Sequence, residues 1–119
     1  MLLLAQIVTA VILLLHVYIV LLETVLFDRR GRRVFGLSAE KAAVVRPLMS
    51  NQGCYNAFLV VALVLGFAVP VPAVAHAFTW YGLACVLVAG LWGGATVGRR
   101  ILLIQALPAA VALVLYALA

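Results

Sequence analysis

The chain has 119 residues, of which 69% are hydrophobic and only 9% charged, and its net charge is +5. Soluble globular domains carry about half of their residues as apolar types, so these few charges could not cover a water-soluble fold. A basic balance would indicate nucleic acid in a soluble protein, but here the eight basic residues lie in two connections between apolar stretches. We therefore predict an integral membrane protein. Its partner is the lipid bilayer, and we expect it to bind no nucleic acid.

Four apolar stretches are each near the ~20 residues that cross the hydrocarbon core of a bilayer. They cover residues 2–26, 48–69, 73–97 and 101–118. Backbone groups in lipid must be paired within their own segment, so stretches of this length are helices. The sequence predicts a single all-α domain, a polytopic bundle of four transmembrane helices. Pro108 should kink or loosen the last of them.

The connections between these helices predict the orientation of the chain. The first, residues 27–45, is strongly basic and contains a short helix for which Ser38 is a plausible N-cap. The second is the proline turn 70–72, and the third is the basic run 98–100. The first and third connections, with Arg46 directly after the first, hold all the basic residues. The positive-inside rule therefore places both in the cytoplasm and both termini outside.

Polar residues inside these helices are the candidates for function, because each needs a partner or a role in lipid. In the first helix Thr9, His16 and Glu23 are spaced seven apart and share one stripe. The remaining candidates lie mainly on the cytoplasmic half of the other helices. Catalytic roles are assigned to Glu23, His16 and Tyr55, and substrate binding to Asn51, Gln52, Asn56, Thr96 and Gln105.

Structural alternatives stay open for these residues. Asn, Gln and Thr side chains often hydrogen-bond between membrane helices only to hold a bundle together. Glu23 has a second interpretation as the ion-pair partner of Arg29 or Arg30 in the adjacent loop. Gly90 and Gly94 form a small-xxx-small pair, which is typical of helix packing and is the predicted contact of a homo-oligomer.

Several segments together resemble a known family. They are His16 with Glu23, the run 31–38, the run 51–56, the run 93–97 and the run 105–108. This combination is similar to the uncharacterised bacterial family called domain of unknown function 1304. The resemblance implies a small four-helix protein of the bacterial cytoplasmic (inner) membrane. It implies no activity.

The function hypothesis favoured by the residues is a polar intramembrane pocket open toward the cytoplasm. The pocket would bind or convert a lipophilic small molecule, in an isomerase- or hydrolase-like reaction with Glu23 as the acid or base. One alternative is an oligomeric proton-coupled transporter that uses Glu23 as its membrane carboxylate. Another is a membrane enzyme in which His16 ligates a non-covalent haem. The last is a structural or accessory subunit.

Overall fold

The computed structural model describes all 119 residues, and every regular element in it is helical. The four long helices are α1 (Leu2–Glu23), α2 (Ala39–Ala68), α3 (Pro72–Thr96) and α4 (Arg99–Ala117). Each of them is long and apolar enough to cross a membrane. The predicted all-α architecture with four membrane-spanning helices is therefore confirmed.

The end of α1 differs from the prediction, which continued the helix to residue 26. The carbonyl oxygen of Leu21 accepts hydrogen bonds from the N–H groups of both Thr24, at 3.3 Å, and Leu26, at 2.8 Å. This arrangement replaces the regular helical ladder, so α1 ends at Glu23. A π-helical turn, Phe27–Gly31, and a short helix, Arg32–Val34, follow before α2.

The start of α2 is a second difference, because the prediction placed it near residue 48 and the helix begins at Ala39. Ser38 caps this end as predicted, since its Oγ accepts the N–H of Lys41 at 3.2 Å. The first residues of α2 are good helix formers, and Pro47 does not interrupt the helix. The prediction used the change from polar to apolar sequence, which marks the edge of the apolar span and not the end of the helix.

The fourth helix is irregular before Pro108. A π-helical stretch, Leu102–Ala106, precedes the regular segment Leu107–Ala117, in which Pro108 is the second residue. Proline has no N–H to donate to the carbonyl four residues earlier, which is that of Ile104 within the π-helical stretch. The predicted loosening of this helix is confirmed.

Close contacts divide the chain into two compact units. Unit 1 contains Met1–Leu14 and Leu59–Ala119, and unit 2 contains Leu15–Phe58. Unit 1 has an apolar core, whose fully buried members are Ile12, Leu63, Leu83, Val86, Ala109 and Ala112. Unit 2 contains the loop between α1 and α2 and most of the polar candidates.

The pattern of side-chain exposure is the reverse of that in a soluble protein, because apolar side chains are exposed and polar ones are buried. Many of the large apolar side chains are exposed, among them Leu3, Leu14 and Trp92, each more than two-thirds exposed. The side chains that are buried include polar ones, His16 and Glu23 among them. Burying polar groups while exposing apolar ones is stable only where the surroundings are apolar. The distribution fits a chain whose solvent is lipid.

Candidate functional site

The polar stripe of α1 is buried along its whole length. Thr9 is 1% exposed, His16 is fully buried, and Glu23 is 7% exposed. Their spacing of seven residues predicted one shared face, and the structure turns that face inward. The neighbouring Leu14 and Val17 are exposed. The helix is thus rotated so that this polar stripe faces protein and much of its aliphatic surface faces outward.

Glu23 meets Asn56 of α2 at the end of this stripe. Asn56 Nδ2 donates a hydrogen bond of 2.9 Å to Glu23 Oε2, and the two residues are 33 positions apart in the chain. Asn56 is only 6% exposed. A hydrogen bond to a carboxylate in such a site is stronger than one between neutral groups. We call these two residues the Glu23–Asn56 pair.

Gly53 lets α2 approach α1 closely beside this pair. A Cβ atom at position 53 would lie 2.5 Å from Cγ2 of Thr24 and 3.2 Å from Cβ of Glu23. Only glycine leaves room for this contact. Gly53 is not among the site residues predicted from the sequence. The available signal was a glycine one turn before a predicted intramembrane asparagine, since small residues mark close approaches between membrane helices.

Loop arginines do not neutralise Glu23. The ion pair of this region joins Asp28 to Arg46 of α2, and the Arg30 guanidinium lies 5.7 Å from the centroid of the Tyr18 ring. The alternative in which Glu23 pairs with Arg29 or Arg30 is therefore not what the structure shows. The carboxyl group is held by a neutral amide.

The other polar residues at the start of α2 do not join this pair. Asn51, Gln52 and Tyr55 are all exposed, whereas Asn56 is buried. The Tyr55 ring packs edge-on against Phe58 at a centroid separation of 6.0 Å. Of the candidates predicted on α2, only Asn56 is brought to Glu23.

Thr96 and Gln105, the substrate-binding candidates of the third and fourth helices, belong to unit 1. Thr96 is exposed, and its hydroxyl donates to the carbonyl of Trp92 in its own helix at 2.8 Å. Gln105 is half-buried in the π-helical stretch of α4. The Glu23–Asn56 pair belongs to unit 2.

Gly90 and Gly94, the two glycines of the predicted oligomer contact, pack closely against α4. A Cβ atom at Gly90 would overlap the backbone nitrogen of Ala106, and one at Gly94 would overlap the side chain of Leu102. Both glycines face α4 of the same chain. The small-xxx-small spacing is thus used for packing within the chain, and the homo-oligomer stays a prediction.

The burial of His16 bears on the haem alternative. Its side chain is fully buried, so a macrocycle could reach the imidazole only by displacing the residues around it.

A surface hollow with a volume of about 360 Å³ lies at the start of α2, between Leu37 and Val45. None of the predicted site residues lines this hollow.

The Glu23–Asn56 pair retains hydrogen-bonding capacity. A carboxylate has two acceptor oxygens and an amide has one, and the bond between the two residues uses only Oε2 of Glu23. Trp80 Nε1 is the one side-chain polar atom that is sealed from solvent without a partner. The bond between the two residues leaves Glu23 Oε1 and Asn56 Oδ1, two acceptors on neighbouring helices, outside it.

Comparison with known proteins identifies the family. The chain matches the family model described as protein of unknown function (DUF1304) over residues 10–117. It belongs to this family. The match includes residues 10–23 of α1, the whole of α2, α3 and α4, and the Glu23–Asn56 pair. No curated protein and no solved structure matches the chain.

Proposed function

We propose that this member of the DUF1304 family binds a lipophilic small molecule at the Glu23–Asn56 pair. The observation that carries the proposal is a buried carboxyl group that a neutral amide, and not an arginine, holds between two helices. A carboxylate in apolar surroundings is costly unless a partner satisfies it. A single amide hydrogen bond leaves most of that requirement unmet, which favours a further donor.

The chemistry of the pair defines the class of ligand. Glu23 Oε1 and Asn56 Oδ1 are acceptors, so the complementary group is a donor such as an ammonium or a hydroxyl on an apolar body. The apolar body would remain among aliphatic side chains of the helices, as in other small-molecule sites. Glu23 is also the acid–base group if the ligand is converted and not only bound. The proposal gives no catalytic role to Tyr55 or His16.

The orientation completes the proposal. We infer that both termini lie outside and that the basic loop between α1 and α2 lies in the cytoplasm of a bacterial cell, in its cytoplasmic membrane. The pair then opens from the cytoplasmic side. Single cysteines introduced by Arg30→Cys, Arg99→Cys or Pro72→Cys into a Cys54→Ala/Cys85→Ala background test this arrangement. An impermeant reagent should label only the Pro72→Cys variant in intact cells, and the opposite pattern would overturn the orientation.

Photoaffinity labelling tests the ligand site. The purified protein in phosphatidylcholine nanodiscs is irradiated with decylamine or decanol, each carrying a diazirine on the chain, and the labelled peptides are mapped by mass spectrometry. We expect both probes to label the end of α1 and the Gly53–Asn56 turn. Glu23→Gln should reduce labelling by the amine about tenfold and labelling by the alcohol much less, because only the amine loses a charge-assisted hydrogen bond.

Matched controls decide the outcome. Glu40→Gln makes the same chemical change at an exposed position and should leave both labelling patterns unchanged. Equal labelling of wild type and Glu23→Gln by the amine would overturn the proposed role of Glu23. Labelling confined to the outward apolar surfaces would show partitioning into lipid and no binding site.

A further inference from the structure

The basic turn that follows α1 displays arginines without partners in the chain. Asp28 of this turn is already occupied by Arg46, and Arg32 Nε donates to the Asp28 carbonyl oxygen at 3.3 Å. Arg29 and Arg33 are exposed and make no ion pair or side-chain hydrogen bond within the chain. We call residues 28–33 the arginine turn.

The arginine turn is held in place against α1. Gly31 is buried, and a Cβ atom there would overlap the carbonyl oxygen of Leu22. The Arg30 guanidinium lies over the ring of Tyr18. The turn therefore rests on the last part of α1. Its arginines project from a fixed backbone, so little conformational freedom remains to be lost when they bind a ligand.

The turn also lies where an apolar span ends. Val25, three residues before Asp28, is 75% exposed, and an exposed valine at the end of a membrane-spanning helix faces lipid. A basic turn that directly follows a membrane span lies at the level of the phospholipid headgroups. Guanidinium groups exposed at that level meet lipid phosphate groups.

We propose that the arginine turn is a binding site for the phosphate group of an anionic phospholipid, with Arg29, Arg30 and Arg33 as the donors. A guanidinium group presents a planar pair of N–H donors that matches two phosphate oxygens. The only acidic side chain of the turn is paired with Arg46, so it does not compete with the lipid. This site is independent of the Glu23–Asn56 pair and of its ligand.

Arginine-to-lysine substitution separates such a site from a general attraction of positive charge to the membrane. The triple variant Arg29→Lys/Arg30→Lys/Arg33→Lys keeps the net charge and the positive-inside signal, but it removes the paired donors. The matched control is Arg99→Lys/Arg100→Lys, in the other basic connection. Both variants and wild type are purified in detergent with added phosphatidylglycerol or phosphatidylcholine, and retained lipids are counted by native mass spectrometry.

We expect wild type and the control to retain phosphatidylglycerol in preference to phosphatidylcholine. The triple variant should lose about fivefold or more of the retained phosphatidylglycerol, since lysine binds phosphate only as a point charge. Millimolar inorganic phosphate should not displace the lipid. Equal retention by the triple variant and wild type would overturn the site and leave only a diffuse attraction. Displacement by inorganic phosphate would overturn the assignment to a lipid.

Discussion

The two units of the molecule satisfy their buried polar groups in different ways. In unit 1, Thr9 donates to the carbonyl of Ala5 at 2.8 Å and Thr79 to that of Ala75 at 3.0 Å, each within its own helix. In unit 2, Asn56 of α2 donates to Glu23 of α1. A hydroxyl bonded within its own helix places no demand on a neighbour. A carboxylate bonded to another helix fixes how the two helices are rotated against each other.

The largest expected effect tests whether unit 1 depends on close backbone packing. Gly90→Ala should lower the free energy of unfolding by about 3 kcal/mol, because the new methyl group would overlap the backbone of Ala106. The higher helix propensity of alanine offsets only about 1 kcal/mol. Unfolding in mixed micelles with increasing SDS, followed by circular dichroism, measures the change.

Gly98→Ala is the matched control for this substitution. No atom lies within 4 Å of a Cβ at Gly98, and its extended backbone suits any residue. Its effect should be within about 0.5 kcal/mol. If Gly90→Ala were as mild as Gly98→Ala, α3 and α4 would have room to separate, and the description of unit 1 as a tightly packed unit would be wrong.

The second prediction concerns unit 2. Asn56→Leu should lower the free energy of unfolding by about 2 kcal/mol, because it removes the hydrogen bond that Asn56 donates to a buried carboxyl group. The same SDS titration applies. Asn51→Leu makes the same change at an exposed position of the same helix and should have almost no effect. Similar losses in both variants would mean that leucine is tolerated poorly for reasons unrelated to Glu23.

The four membrane-spanning helices could be predicted from the sequence because their hydropathy is set by the solvent and not by tertiary contacts. The burial of Thr9, His16 and Glu23 on one face also followed from their spacing, since a single helix fixes that geometry. Local chemistry likewise predicted the cap at Ser38. These features depend on one segment at a time.

Features that depend on two helices were less predictable. Residues four apart lie on the same side of a helix, which predicts that Gln52 and Asn56 share one face. In the structure Asn56 is buried and Gln52 is exposed, since the rotation of α2 is set by contact at Gly53. The Gly90–Gly94 spacing is a second example of a feature whose partner helix the sequence does not identify. It predicted a close helix contact correctly but could not distinguish a contact within the chain from one between copies.

The third prediction separates the shape of the Glu23–Asn56 pair from its charge. Glu23→Gln should change the free energy of unfolding by about 1 kcal/mol or less, because the glutamine oxygen still accepts the Asn56 hydrogen bond. In an Asn56→Leu background the same substitution should be stabilising, since a neutral amide is less costly than an unpaired buried carboxyl group. A double-mutant cycle measures the coupling. Additive effects in that cycle would show that the hydrogen bond between Glu23 and Asn56 contributes nothing to stability.

The smallest expected effect on the free energy of unfolding concerns Thr9, in the polar stripe of α1. Thr9→Val should change the free energy of unfolding by about 0.5 kcal/mol or less, although Thr9 is more deeply buried than Glu23 of the same stripe. Valine keeps the branched shape, and the Ala5 carbonyl that loses the hydroxyl keeps its place in the backbone ladder of α1. Depth alone therefore does not make a polar side chain important, whereas a bond to a second helix does. A loss from Thr9→Val as large as that from Asn56→Leu would contradict this distinction, because the hydroxyl would then have to serve more than its own helix. The SDS titration of the two variants side by side makes that comparison directly.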